Sequence, residues 1–213
     1  MIAYKFLRAG RVGSFSGVRW PAPGEQPSWV LARGRRRVHA CLPGDLPAWA
    51  DAELWRVELD GDVAPGCGML AADRGRLVER VEDWDAAVAA ELATATALRA
   101  RDFAAGVLRS HGHEDEAASV ARCSAPQELL DAAGSLAERD GLAPDAATAA
   151  AFLADTTRKA VRAQAEPEIA PSLAAGAGFI AAQVAGLATG EFEHAQARER
   201  AWQGNWLVER LSL

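Results

Sequence analysis

A change of period near residue 84 constrains this chain more than any other feature. Before it, apolar residues alternate over short runs bounded by Gly, Pro and Asp; after it they recur at three- and four-residue spacing. The clearest alternating run is 53–59. Leu54, Arg56 and Glu58 fall on one face of it and Trp55, Val57 and Leu59 on the other, with Asp60-Gly61 as the closing turn. Shorter runs at 2–7, 15–20, 29–32, 37–41, 69–72 and 76–81 read as further extended pieces. Asp45 as N-cap with Pro47 in the first turn predicts a short helix over 45–50.

From 83 onward the spacing predicts helices over 83–109, 114–122, 126–140, 144–165, 172–188 and 191–211. Ser124 is the expected cap of the third, and Pro126 and Pro144 open the third and fourth. The expected fold class is therefore α+β: a small curled antiparallel sheet at 1–83, followed by and packed against a helical bundle at 84–213, the two forming one integrated unit. A doubly wound α/β fold is excluded because helices do not alternate with strands.

Charge sharpens the division. The 213-residue chain carries a net charge of -6. Residues 1–83 hold 12 basic and 11 acidic groups and residues 84–213 hold 11 and 18, net charges of +1 and -7. An acidic second half argues against nucleic acid as a partner, which calls for a cationic footprint, and places any anion site in the first half. Residues 1–5 lack the basic leader and apolar core of a signal peptide. No run reaches about 18 large apolar residues, 171–188 coming nearest through Ala and Gly, so no membrane partner is expected. Three cysteines at 41, 67 and 123, with no CxxC spacing, point to a reducing cytoplasm.

The densest polar chemistry is the stretch from Arg35 to Trp49. Arg33, Arg35, Arg36 and Arg37 form a cationic run whose guanidinium forks suit a phosphate or carboxylate, against the plainer reading of a solvated edge. His39 and Cys41 are two apart, so on a regular strand they face one side, as a base and a nucleophile do. A buried structural pair has the same spacing. Lys5, Arg19 and Trp20 would join Arg37 in a ligand-binding wall if the first strands pair with 37–41. The predicted site is thus His39 and Cys41 as catalytic groups, with Lys5, Arg19, Trp20 and Arg37 binding an anionic or aromatic small molecule in a cleft between sheet and helices. The pair His111 and His113 reads as an interhelical loop, and no metal is expected. Trp202 and Trp206 share one face of the last helix, which would serve docking or a homodimer. No phosphate-binding loop or catalytic signature is present, and no motif specifies a cofactor. The competing class is a protein-interaction or immunity-type module using the acidic helical face.

Three segments carry a resemblance: Tyr4 to Leu7, the Phe-Ser-Gly-x-Arg-Trp-Pro element from Phe15 to Pro21, and the His-Ala-Cys-x-x-x-Asp-Leu-Pro-x-Trp element from His39 to Trp49. In these the first 40% or so of the chain resembles an uncharacterised actinobacterial protein family, a resemblance that implies no activity. The order strand, Gly-rich turn, His-x-Cys, short helix and strand is similar to the core of compact NAD-using ADP-ribosyl transfer folds. That likeness implies NAD as cosubstrate, Arg19 or Lys5 facing the pyrophosphate and His39 the ribose, with Glu58 and Glu79 as candidates for the catalytic glutamate.

Overall fold

A computed structural model describes residues 1–32, 37–66 and 68–213. Among these residues the strands come first: β1 (Ile2–Leu7), β2 (Val30–Leu31), β3 (Val38–Ala40), β4 (Glu53–Asp60), β5 (Ala64–Gly66), β6 (Met69–Ala72) and β7 (Arg74–Arg80). The helices α1 (Ala86–Ser110), α2 (Glu114–Arg122), α3 (Pro126–Ala137), α4 (Pro144–Ala165), α5 (Ala170–Thr189) and α6 (Phe192–Leu211) follow. The fold is α+β, sheets followed by a helical bundle. The expectation of a single curled sheet is overturned. The strands form two sheets, neither curled nor closed, in the orders β1-β4-β7-β2 and β3-β6-β5.

The division arises because β4 pairs antiparallel with β7 and skips the two strands between them. Those two, β5 and β6, pair with each other, and β6 pairs with β3. Pro65 deprives β5 of a backbone donor, which suits an edge strand. Asp73 alone separates β6 from β7. Its carbonyl accepts the Ala32 N–H at 2.7 Å and its Oδ2 accepts the Asp62 N–H at 2.8 Å, so both the main chain and the side chain hold this corner between sheets.

Three local expectations also fail. The cap of α3 is Ala125 and not Ser124, and no side-chain hydrogen bond caps the helix start there. Residues 15–20 are not a strand. Gly17 has φ +65 and donates its N–H to Gly13 O, while the Gly13 N–H donates to Val18 O, closing a turn that leaves Phe15 88% exposed. Asp45 is not the N-cap of its helix. Pro43 starts a 3-10 segment, Pro43–Trp49, whose cap is Leu42 and in whose first turn Asp45 lies.

On β4, Trp55, Val57 and Leu59 are buried with Ala3, Leu7, Trp20, Val38, Leu70 and Leu77. The opposite face carries three charge pairs in register with β7: Arg56–Glu79, Glu58–Arg76 and Asp60–Arg74. Gly75 sits where the sheet core closes on the backbone. A Cβ there would stand 2.9 Å from Val38 Cγ1 and 3.2 Å from both Leu59 Cδ2 and Trp20 Cη2.

The chain divides into two compact units: Met1–Asp85 with Gly204–Leu213, and Ala86–Gln203. In the second, alanines such as Ala104, Ala133, Ala149, Ala150 and Ala181 supply most of a core completed by Leu108, Leu129 and Leu153. Helix α5 is long and apolar enough to cross a membrane by length and composition, with a mean hydropathy of 1.4. Half of that stretch is buried inside the protein, as in the core helix of a bundle.

Candidate functional site

Tyr4 on β1 exchanges both backbone hydrogen bonds with Cys41, just past β3: Tyr4 N–H to Cys41 O at 2.9 Å and Cys41 N–H to Tyr4 O at 2.7 Å. This bridge carries the far edge of β1 to the second sheet and sets Lys5 beside the end of β3. Lys5 Nζ accordingly donates to the His39 carbonyl at 2.6 Å and lies 5.3 Å from the Trp20 ring centroid.

Around these groups opens a cavity of about 930 Å³, within the range of small-molecule sites. Lys5, Arg19, Trp20, Arg37, His39 and Cys41 all line it. The described lining comes entirely from the first unit, whereas the sequence suggested a cleft between sheet and helices. Its character is aromatic and cationic. Phe6, Phe15, Trp29 and Trp49 join Trp20, and no Asp or Glu is among the described lining residues.

The six residues are not equivalent. Arg37 is half-buried and held by two carboxylates, Asp62 at 3.3 Å and Asp73 at 3.5 Å, so it braces the wall. Arg19 is exposed and forms no ion pair with any described residue. Trp20, only 2% exposed, is core and wall at once. Burial lowers the Lys5 pKa below the ordinary lysine value, opposed by Cys41. Burial, then the Lys5 and Arg37 charges, lowers that of His39, so its imidazole is neutral near pH 7.

Cys41 is 6% exposed, and burial pushes its thiol up to about 12 against the pull of Lys5, with Asp45 adding to the rise. Its thiolate is scarce at neutral pH, which removes the basis for reading it as an activated nucleophile. His39 is exposed between buried Val38 and Ala40, whereas Cys41 is buried. The regular alternation that would put both on one face ends with β3 at Ala40.

Arg33, Arg35, Arg36 and Cys67 lie outside the described residues. Glu58 and Glu79 are paired to Arg76 and Arg56, and neither lines the cavity. His111 Nε2 stands 4.0 Å from Asp145. Among the described residues no three of His, Cys, Asp and Glu gather as a metal set. Trp202 on α6 lies under the Arg99 guanidinium at 4.1 Å, while Leu207 and Leu211 are buried.

The sequence did not assign Phe15, Trp29 or Trp49 to the site, although all three line the cavity. Trp49 Nε1 donates to Gly68 O at 2.9 Å, and its ring meets Phe15 edge-on at a centroid distance of 5.7 Å. Trp29 is flanked by Arg74 and Arg76 at 4.9 and 5.0 Å. For the two tryptophans the sequence signal was proximity to the prolines at 27 and 47, which keep Trp29 on a loop and Trp49 at the end of the 3-10 segment rather than inside strands. The chain matches no family model, no curated protein and no solved structure.

Proposed function

We propose that the first unit binds a small anionic molecule with a flat, apolar body, and that it does so in a reducing cytoplasm. The supporting observation is the cavity lining: five aromatic side chains, Lys5, Arg19 and His39, and no carboxylate among the described lining residues. Aromatic faces and aliphatic walls favour an apolar body. A cation without a carboxylate partner favours a negative group, since its charge is not already satisfied. Arg19 is the principal anion contact and Lys5 the second cation. Arg37, engaged by Asp62 and Asp73, shapes the wall. His39, neutral near pH 7, is the group suited to accept a proton from bound ligand. The NAD-using alternative lacks support where it needs it, because neither Glu58 nor Glu79 reaches this cavity.

The test is a titration of tryptophan fluorescence with 2-naphthoate and with the neutral 2-naphthamide. Naphthoate is expected to bind more tightly than the amide, and Arg19→Met to weaken naphthoate by about tenfold while leaving the amide unchanged. Equal binding of both probes, insensitive to Arg19→Met, would show that charge plays no part.

A further inference from the structure

We propose that Lys5 forms an imine with a carbonyl-bearing ligand, so that the molecule taken by this cavity is an aromatic aldehyde or ketone that also carries an anionic group. The inference rests on the ligand reading above and specifies its chemical class.

The chain has two lysines, and their settings differ. Lys159 lies on α4 and pairs with Asp155 at 2.7 Å, one helical turn away. Lys5 has no carboxylate partner among the described residues. Its Nζ donates to the neutral His39 carbonyl, and it faces a cavity whose described lining has no acidic group. A lysine placed for structural reasons in a charged site gains by having a counter-ion. Here burial penalises the ammonium and outweighs the opposing influence of Cys41, and the neutral amine, the nucleophilic form, is reached at a lower pH than usual. The Trp20 ring, 5.3 Å from Nζ, offers a flat apolar surface next to the amine against which an aromatic carbonyl compound can stack. Arg19 supplies the charge for the anionic group.

In the reaction Nζ attacks the carbonyl carbon and a C–N bond forms. Two protons pass from nitrogen to the former carbonyl oxygen, which leaves as water, giving a neutral imine C=N. No oxidant or reductant takes part, and hydrolysis reverses the step. His39, exposed and neutral, is the adjoining group able to relay a proton.

The experiment treats the full-length protein with 6-formyl-2-naphthoate and cyanoborohydride near neutral pH, then locates the reduced adduct by peptide mass spectrometry. The expected result is labelling of Lys5 about tenfold or more faster than of Lys159 or the Met1 amine, two internal references in the same molecule. Lys5→Arg, which keeps a cation but removes the nucleophilic amine, should abolish the fast adduct. If 2-naphthoate binds but Lys5 is labelled no faster than Lys159, the imine is overturned and the ligand reading stands. If 2-naphthoate does not bind and labelling is equally unselective, both are overturned.

Discussion

The two units answer the same packing demand with different side chains. In the helical unit, alanine after alanine is buried along α1, α4 and α5, so helix backbones approach closely and side chains leave little unfilled space. The groove found there, near Asp115, Glu116 and Arg139, is about 230 Å³ and contains carboxylates. The first unit uses tryptophans, leucines and two short-stranded sheets. Bulky rings on loops cannot interdigitate as alanines on helices do, and a cavity of about 930 Å³ remains. Small side chains make a tight scaffold around the smaller groove. Large ones on loops leave space, and the space is lined by the chemistry those loops carry.

The largest expected effect tests a buried charge set among the alanines. Glu199 is fully buried and accepts from Arg99 Nη2 at 2.7 Å and Arg99 Nε at 2.9 Å; Gln203 Nε2 adds a donor to Glu199 at 3.3 Å and reaches Gly178 O at 3.1 Å. Glu199→Ala strands the Arg99 charge over the Trp202 ring. It is expected to cost about 3 kcal/mol in urea unfolding, the low end for a broken buried pair because Arg99 is one-third exposed. A loss below about 1 kcal/mol would mean that the charge pair is no part of what holds the alanine core.

Next comes a single substitution made at two glycines. A Cβ on Gly204 would lie 2.6 Å from Gly44 Cα and from its carbonyl oxygen, main-chain atoms that cannot swing aside. Gly204→Ala should therefore destabilise by about 2 kcal/mol despite alanine's better helix propensity. At Gly106 on α1 a Cβ meets nothing within 4 Å, and Gly106→Ala should stabilise by about 0.5 to 1 kcal/mol, the smallest effect here. Two shifts of the same sign would break the contrast.

Between these lies a pH effect confined to the first unit. The folded Cys41 thiol holds its proton to about 12 against an ordinary value of 9.0. The folded state thus enjoys the full benefit below pH 9 and loses it as pH climbs from there towards 12. Lys5 acts in the opposite sense, since its lowered pKa means the unfolded chain binds the extra proton and stability rises with pH. Comparing wild type with Cys41→Ala isolates the thiol. Wild type should lose about 1 kcal/mol more than the variant between pH 9 and 10 in chemical denaturation. Parallel curves would place the thiol in water.

The sequence by itself determined the change of class near residue 84 and the six helices, although it read 15–20 as extended and showed no sign of β5. Periodicity of two before residue 84 and of three to four after it follows from backbone geometry, and Pro126 and Pro144 marked helix starts that tertiary packing had no reason to move. It also brought Lys5, Arg19, Trp20, Arg37, His39 and Cys41 under one hypothesis, and all six line one cavity. Pairing was another matter. That β4 would reach past β5 and β6 to β7 depends on a one-residue corner at Asp73, which has no periodic signature. The burial that silences the Cys41 thiol, loosens the Lys5 proton and leaves His39 in the open depends on where β3 stops, a matter of one residue. The last ten residues belong with the first eighty-five, and Gly204 there meets Gly44, 160 positions away and linked to it by no local pattern. Local propensity is written in neighbouring residues. Desolvation and long-range contact exist only once the chain is folded.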